Sequence, residues 1–409
     1  MTVFAYRHQP LRTIYVVLNV LAVLVRLPYW TLRNLLPAWR PRRSWSLGRS
    51  VLVQVLRVYV DVLWNAGIAP ETPPEVHAQY ATELGFVWVD ATPELVRGEV
   101  RDMAEINNVK AERTCGFWWG PRGPDGIAGQ KAAPGEKVLY YLHGGAYVMQ
   151  TSHPDSPILK TMLPDFLKHF GPDLRTFALE YRLSSAAPFT AANPFPAALL
   201  DAIAGYRYLV EDVKFAPENI IISGDSAGGN LAVSLALHIE AIKGPRLPKA
   251  AGLLLISPTV DWALTHTGPG SSMERNRRSD FIARIMTSGY SRRALLGNLS
   301  EDAAATSIWI SPGSLRLRKP PGAFSGLPKT CIVADEAEVT LDPMCQLRDY
   351  MRDDMGASAV TYVEIQDATH DCFTASWHEP ERTNGLREVA KWVQGVWEGR
   401  EPEALDILA

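Results

Sequence analysis

From Lys137 onward the sequence alternates short β-rich runs with helical stretches, and this alternation restricts the possible folds most strongly. Near-continuous apolar runs predict strands at residues 138–142, 175–181, 219–223, 252–257, 330–334 and 360–365. Helical spacing is found at residues 196–210, 227–242, 343–355 and 385–398. Strands that alternate with helices are joined by right-handed crossovers and form sheets covered on both faces. We predict an α/β fold with a mostly parallel central sheet covered by helices.

Two segments lie outside this alternation. Residues 1–110 are predicted to form an N-terminal helical arm and cap, and residues 111–409 the main α/β domain. Within that domain, an insertion at about residues 259–328 contains helical material at 280–298 and a loop rich in Pro, Gly and Lys. A chain of 409 residues is long enough for a large core with such additions. We expect the insertion to complete the cap together with the arm.

The charge distribution separates the arm from the rest of the chain. Residues 1–60 contain nine Arg and no Asp or Glu, although the net charge of the whole chain is −3. The remainder is therefore acidic, which argues against nucleic acid as a partner. A basic and apolar arm suits an anionic membrane surface. The arm thus predicts membrane contact through residues 1–64.

The first apolar run of the arm, residues 13–25, lies between Arg12 and Arg26. It has 13 residues, whereas a transmembrane helix needs roughly 20. We therefore expect a helix that does not cross a bilayer. A secretory signal peptide is an alternative, although Pro28, Tyr29 and Trp30 stand where small residues should precede a cleavage site.

A second helix is predicted at residues 45–64, with a narrow polar stripe of Ser50, Gln54, Arg57 and Asp61. Two interpretations of the arm remain open. Both helices can pack on the body as a cap, or Arg and Trp side chains can seat them in one leaflet of a bilayer. The second gives a membrane-associated protein, peripheral or monotopic and possibly at the endoplasmic reticulum; the first gives a cytoplasmic one.

The segment Gly224-Asp225-Ser226-Ala227-Gly228 fits the pattern G-x-S-x-G. It follows a β-branched strand end and directly precedes an amphipathic helix. In this context the pattern predicts a nucleophile elbow, a tight strand-to-helix turn that projects the serine hydroxyl above the sheet. Ser226 is therefore the candidate nucleophile. The helix N-terminus beside it favours developing negative charge.

The segment His143-Gly144-Gly145-Ala146-Tyr147 directly follows the strand predicted at residues 138–142. Glycines at this place let backbone N–H groups turn toward an oxyanion. We predict an oxyanion hole formed by the N–H groups of Gly144, Gly145 and Ala227. His143 is predicted to support the oxyanion loop.

Together the two motifs resemble those of the hormone-sensitive-lipase-like branch of the α/β-hydrolase superfamily. The likeness extends over residues 137–398, and residues 1–110 resemble the membrane-proximal extension of fungal members. It implies hydrolysis of hydrophobic carboxylic esters with short or medium acyl chains, such as acylated sterols or other lipophilic acetates. It also implies substrate-binding roles for Tyr147 and Asp225. Residues 184–192 depart from the family pattern, lengthening a segment that we expect to reshape the rim of the pocket.

A catalytic triad needs an acid and a histidine that follow the serine in this order. His370 lies just after the strand predicted at residues 360–365, in a loop that resembles the catalytic histidine turn of the family. Several acidic residues follow the preceding strand, at positions 335, 336, 338 and 342. In the register of the family pattern D-x-L-x-D, Glu338 replaces the first Asp and Asp342 takes the second acidic position. Glu338 is the predicted acid. Asp342 is the alternative.

The predicted reaction is serine ester hydrolysis through an acyl-enzyme. We expect no metal and no cofactor, because the sequence contains no HExxH motif, phosphate loop or dinucleotide fingerprint. Its four cysteines form no CxxC pair, so neither a zinc site nor a disulfide framework is indicated. An amidase, a lactonase and a non-catalytic binding protein with the same fold remain as alternatives. The sequence does not indicate an oligomeric state.

Overall fold

The computed structural model describes residues 3–68, 72–242, 244, 246–401 and 405–409. In these residues one sheet has nine strands in the order β1-β2-β4-β3-β5-β6-β7-β8-β9. The strands are β1 Phe86–Val89, β2 Thr114–Trp119, β3 Val138–Leu142, β4 Arg175–Glu180, β5 Ile220–Asp225, β6 Gly252–Ile256, β7 Lys329–Asp335, β8 Val360–Ile365 and β9 Asp406–Leu408. Pairing is antiparallel between β1 and β2 and between β2 and β4, and parallel elsewhere. The predicted α/β fold is confirmed.

The six predicted strands correspond to β3 to β8, with ends that shift by two residues at most. Sequence analysis missed the antiparallel strands β1 and β2 and the short last strand β9. β1 and β9 are the edge strands of the sheet, and β2 lies between β1 and β4. β1 has four residues and β9 has three, and the sequence of β2 is interrupted by Gly116, so none of them has the longer apolar run that identified the other strands.

The helices are α1 Leu11–Arg33, α2 Leu47–Ala66, α3 Pro74–Ala78, α4 Ala81–Leu84, α5 Gly98–Ile106, α6 Pro157–Phe170, α7 Ala197–Arg207, α8 Ala227–Ile242, α9 Ser272–Arg275, α10 Ala283–Thr287, α11 Tyr290–Leu296, α12 Ala303–Thr306, α13 Leu341–Met355 and α14 Glu381–Trp397. The four predicted helices correspond to α7, α8, α13 and α14. Helix α6 was not predicted. The helical material predicted at residues 280–298 of the insertion corresponds to two short helices, α10 and α11.

Helices cover both faces of the sheet, and strand β3 shows how side chains are divided between the two layers. Val138, Tyr140 and Leu142 point into a core shared with α7 and α8. Leu139 and Tyr141 point into the opposite core, shared with α6 and α14. All five are fully buried. Successive side chains of a strand point to opposite faces, so a strand in the middle of the sheet must be apolar at every position.

Helix α2 of the arm is fixed to the body at both ends. Near its start, the indole N–H of Trp45 donates to the carbonyl oxygen of Asp367 at 2.7 Å. In its last turn, the indole N–H of Trp64 donates to Ser288 Oγ at 2.9 Å. Both indoles are fully buried. The arm is therefore packed on the body, as the cap interpretation expects.

Helix α1 differs from its prediction. It extends beyond the apolar run of residues 13–25, past Arg26 and Pro28, to a length of 23 residues. Its mean hydropathy is 1.7, and none of its most apolar stretch is buried. In the part of the chain that the structure describes, α1 is the one helix whose length and composition suit a membrane span. The helix is thus longer than the apolar run from which it was predicted, because it continues through Arg26 and Pro28.

Candidate active site

Ser226 occupies the turn between β5 and α8, at the carboxyl end of the central strand. Its backbone has φ of +49°, a left-handed conformation that is uncommon outside glycine. The flanking glycines leave no room for side chains. A Cβ at Gly224 would lie 2.3 Å from the carbonyl oxygen of Gly228, and one at Gly228 would lie 2.0 Å from that of Leu142. The turn is thus as tight as an elbow requires, and it lifts the Ser226 hydroxyl to the edge of the sheet.

His370 lies in the loop after β8 and contacts Ser226. The distance from His370 Nε2 to Ser226 Oγ is 2.9 Å. The other ring nitrogen, Nδ1, lies 2.6 Å from Glu338 Oε2. Because the carboxylate accepts the Nδ1 proton, Nε2 carries the lone pair and faces the hydroxyl. Serine, histidine and acid therefore form one hydrogen-bonded chain.

Glu338 lies in the turn between β7 and α13, with its side chain fully buried. One carboxylate oxygen accepts from the backbone N–H of Asp335 at 2.8 Å. The other accepts from Thr340 Oγ1 at 2.8 Å, in addition to His370. Burial raises the pKa of Glu338 to about 8, and these donors act in the opposite direction. They hold the carboxylate in position and favour its charged form.

Asp342, the alternative acid, does not contact His370. It lies at the start of α13, where its carboxylate accepts from the backbone N–H of Ser272 at 2.7 Å and pairs with the guanidinium of Arg275. Its side chain therefore ties the insertion to the body. Of the two candidates, the structure brings only Glu338 to the histidine.

The oxyanion loop differs in one donor from the prediction. The N–H of Gly144 donates to Asp225 Oδ1 at 2.9 Å and is therefore directed away from the cavity. Among the described residues, the N–H groups of Gly145 and Ala146 have no hydrogen-bond acceptor, and both residues line the cavity beside Ser226. Ala227 begins α8, where a backbone N–H has no acceptor inside the helix. The available donors are those of Gly145, Ala146 and Ala227, and Gly144 is not one of them.

His143 lies beneath this loop. Its ring stacks on that of Tyr181 with centroids 4.1 Å apart, and Nδ1 donates to the carbonyl oxygen of Gly144 at 2.7 Å. Burial lowers the pKa of His143 to about 4, so the ring is neutral at physiological pH. The hydroxyl of Tyr181 donates to the carbonyl oxygen of His143 at 2.6 Å. These contacts hold the oxyanion loop from below.

The two predicted substrate-binding residues have different surroundings. Tyr147 is 1% exposed, and its hydroxyl donates to Asn230 Oδ1 at 2.8 Å. It lies behind the loop and, among the described residues, is not part of the cavity wall. Asp225 does line the cavity, but its Oδ1 is taken by Gly144 and by the hydroxyl of Tyr141. Both side chains support the loop, so the expectation that Tyr147 binds substrate does not agree with its position.

The cavity in front of Ser226 has a volume of about 280 Å³. Its roof is apolar and comes from two segments distant in the sequence. Helix α2 contributes Leu56, Tyr59, Val60 and Leu63, and the insertion contributes Phe281, Ile282, Ile285 and Met286. The floor holds the serine, the histidine and the oxyanion loop. This arrangement suits an apolar molecule with one polar reactive group.

Sequence analysis missed two polar residues of this cavity. Thr259 Oγ1 lies 3.1 Å from Ser226 Oγ. Asp371 Oδ2 lies 3.3 Å from His370 Nε2, on the side of the ring that faces the serine. Burial and neighbouring carboxylates raise the pKa of Asp371. Asp371 directly follows the histidine, so its position in the chain was a signal that could have been used, whereas Thr259 is brought in by the turn after β6.

A family model described as the alpha/beta hydrolase fold matches residues 139–374. This match covers more than half of the chain and contains Ser226, Glu338 and His370. The chain belongs to the α/β-hydrolase fold family. Helix α2, which forms half of the cavity roof, lies outside the matched region.

Similar proteins place the chain in the hormone-sensitive-lipase-like branch. An esterase of Acinetobacter venetianus is 26% identical over 55% of this chain and 65% of its own length. An acetyl-hydrolase of Streptomyces hygroscopicus is 31% identical over 62% of this chain and 73% of its own. The hormone-sensitive lipase of Mus musculus is 30% identical over 38% of this chain and 19% of its own. The α/β-hydrolase described here is an enzyme of the esterase and lipase type.

Proposed function

We propose that this α/β-hydrolase is a serine carboxylic ester hydrolase with Ser226 as nucleophile, His370 as base and Glu338 as acid. One observation carries the proposal: Ser226 Oγ, His370 Nε2, His370 Nδ1 and Glu338 Oε2 form one hydrogen-bonded chain, with contacts of 2.9 and 2.6 Å. Such a chain lets a histidine withdraw the serine proton while a carboxylate fixes the ring tautomer. The Ser226 hydroxyl faces an apolar cavity, where the carbonyl carbon of a substrate can reach it.

In the proposed reaction, Ser226 Oγ attacks the ester carbonyl as its proton passes to His370 Nε2. The negative charge that develops on the carbonyl oxygen is stabilised by the N–H groups of Gly145, Ala146 and Ala227. His370 then gives the proton to the leaving alcohol, and an acyl-serine remains. Water attacks this ester by the same route and releases the acid.

The protonation state of His370 suits this role. Burial lowers its pKa below the ordinary 6.5, although the buried carboxyls of Asp280, Asp335 and Asp225 act in the opposite direction. The imidazole is therefore neutral at neutral pH and free to accept a proton. The base is ready before substrate binds.

We propose a hydrophobic ester with a short or medium acyl chain as substrate. A cavity of about 280 Å³ lies at the lower end of the usual range for small-molecule sites. Its apolar roof favours a lipophilic alcohol or acyl group, and the 31% identical relative is named an acetyl-hydrolase. Lipophilic acetates fit both observations, and among them an acylated sterol, which is larger than this cavity, would have to extend beyond its mouth.

We also propose that residues 1–110 and the insertion at 259–328 act as a cap, and that α1 seats this cap on a bilayer. The face of α1 turned away from α2 is a continuous apolar surface, with Leu18, Leu21, Leu24 and Val25 between 52% and 78% exposed. Burying such a face in lipid is favourable by roughly 25 cal/mol per Å². Residues 1–60 contain nine Arg, of which Arg42 and Arg49 pair with Glu336 and Glu381; the others add attraction to anionic lipid. The cap and the membrane interpretations are then compatible, with α2 on the enzyme and α1 toward lipid.

A fluorophosphonate probe tests the nucleophile. It should label the wild-type protein and leave Ser226→Ala unlabelled. A panel of esters of rising acyl length, with a matched anilide and a lactone, then identifies the leaving group. Faster turnover of the anilide or the lactone than of every ester would replace the esterase proposal with an amidase or lactonase.

Vesicle sedimentation tests the seating of α1. The double variant Leu21→Glu/Val25→Glu should lose most binding to vesicles with 20% anionic lipid and keep its activity on a water-soluble ester. The matched control is Leu315→Glu, since Leu315 is 54% exposed and lies in the insertion rather than the arm. Equal loss in the control, or no vesicle binding by the wild type, would contradict the seating.

A further inference from the structure

A second cavity lies on the other side of α2, between α1, α2 and the insertion. Its volume is about 660 Å³, and it shares no lining residue with the catalytic cavity among the described residues. Four arginines line it: Arg26 of α1, Arg57 of α2, Arg277, and Arg284 of α10. The polar stripe predicted on α2 therefore turns in part toward this cavity, through Arg57 and Asp61.

The carboxylates present do not balance these charges. Asp61 and Glu274 also line the cavity, so four positive charges face two negative ones. Asp61 Oδ1 lies 3.9 Å from Arg284 Nε. Among the contacts of the described residues, Arg26, Arg57 and Arg277 form no ion pair. A net positive charge remains on the cavity wall.

Arg57 is the strongest indication that a ligand is missing. Its guanidinium is half-buried, and desolvation lowers its pKa; Asp61 and Asp280 act in the opposite direction, and Arg277 and Arg278 act in the same direction as desolvation. Removing a charged group from water costs free energy unless a partner of opposite charge replaces the water. No carboxylate of the described residues lies within ion-pair distance of Arg57. An anion from outside the chain would supply this partner.

The geometry points to an anion site in this cavity that binds the phosphate of an anionic phospholipid headgroup. Guanidinium groups bind phosphate in a bidentate manner, and several around one cavity can hold a single phosphate from different sides. The exposed apolar face of α1 lies on the other side of this helix, and the proposed seating of that face in lipid would bring the cavity to the level of the headgroups. A phosphate bound by Arg26, Arg57 and the arginines of the insertion would hold α1 against α2 and the insertion. It does not rest on the chemistry at Ser226.

Thermal unfolding of the full-length protein with inorganic phosphate tests the anion site directly. At constant ionic strength, set with chloride, phosphate should raise the Tm of the wild type in a saturable way. The double variant Arg57→Gln/Arg277→Gln should lose this rise. Arg43→Gln is the matched control, because Arg43 is an exposed arginine of the same arm that does not line the cavity; it should keep the rise. If the double variant does not fold, Arg277→Gln alone serves, since Arg277 is exposed.

Vesicles distinguish a lipid headgroup from free phosphate. Vesicles with phosphatidic acid and vesicles with phosphatidylserine are prepared at the same surface potential, so that only the headgroup differs. The wild type and Arg43→Gln should bind the phosphatidic acid vesicles at least fivefold more tightly, and the double variant should bind both equally. A phosphate effect on Tm without this preference would overturn the lipid assignment. Absence of any phosphate effect, or an equal loss in Arg43→Gln, would overturn the site itself.

Discussion

The floor and the roof of the catalytic cavity are built by different means. On the floor, Ser226, Glu338 and His370 follow strands β5, β7 and β8 of one sheet, and hydrogen bonds fix each side chain. The roof is apolar, and half of it comes from α2, which the family match does not include. It is held to the body by side-chain packing, by the indole hydrogen bonds of Trp45 and Trp64, and by an ion pair between Arg49 and Glu381. The comparison suggests that the floor sets the reaction and the roof sets which ester enters.

Removal of the nucleophile should give the largest effect and leave the roof untouched. Ser226→Ala should lower kcat by roughly 10⁴-fold or more, as the loss of a triad serine does in other hydrolases. The measurement is kcat on a soluble ester, beside a thermal unfolding curve that should be unchanged. Residual turnover within tenfold of wild type would mean that the floor does not carry the reaction.

The acid should have the next largest effect. Glu338→Gln should lower kcat by roughly 10³ to 10⁴-fold, because an amide cannot hold the productive tautomer of His370. Asp342→Asn is the matched control, since it lies four residues further along and pairs with Arg275 instead. It should change kcat by less than fivefold. The reverse order of the two effects would assign the acid role to Asp342.

A change in the roof should alter substrate choice rather than chemistry. Tyr59 lines the cavity yet is 58% exposed, so it lies at the mouth. Tyr59→Ala removes apolar contact worth about 1 to 2 kcal/mol to a large ester, so KM for a lipophilic ester should rise roughly five- to thirtyfold. The kcat for a small acetate should stay within twofold. An equal loss of kcat for both esters would show that the roof affects the chemistry as well as the choice of substrate.

The smallest effect concerns pH. Burial lowers the pKa of His370 below 6.5, and only the neutral imidazole can accept the serine proton. The kcat/KM of the wild type should therefore be level at pH 7 and fall only below pH 6.5, by tenfold per unit once the pKa is passed. A pH series at constant ionic strength measures this limb. A fall that begins near pH 8 would instead indicate that protonation of Glu338, whose pKa burial raises to about 8, controls the rate.

Much of the floor could be read from the sequence because its signals are local. The elbow around Ser226 needs small neighbours, and Gly224 and Gly228 stand where a Cβ would clash. Four acidic residues lie at or just after the end of β7, and Glu338 was chosen among them by its resemblance to the family pattern; the structure brings it to His370. The central strands could also be predicted from local sequence, because burial on both faces requires apolar residues at every position.

Other features were decided only by the tertiary structure, because they depend on contacts between distant segments. The N–H of Gly144 is engaged by Asp225, a residue 81 positions away, which is why Ala146 and not Gly144 is a proposed donor to the oxyanion. Trp64 joins Ser288 across 224 positions, which brings α2 over the serine. Sequence periodicity gives the faces of a helix but not the partner of each face. The composition of α2 was therefore known from the sequence, and its position as the roof of the cavity was not.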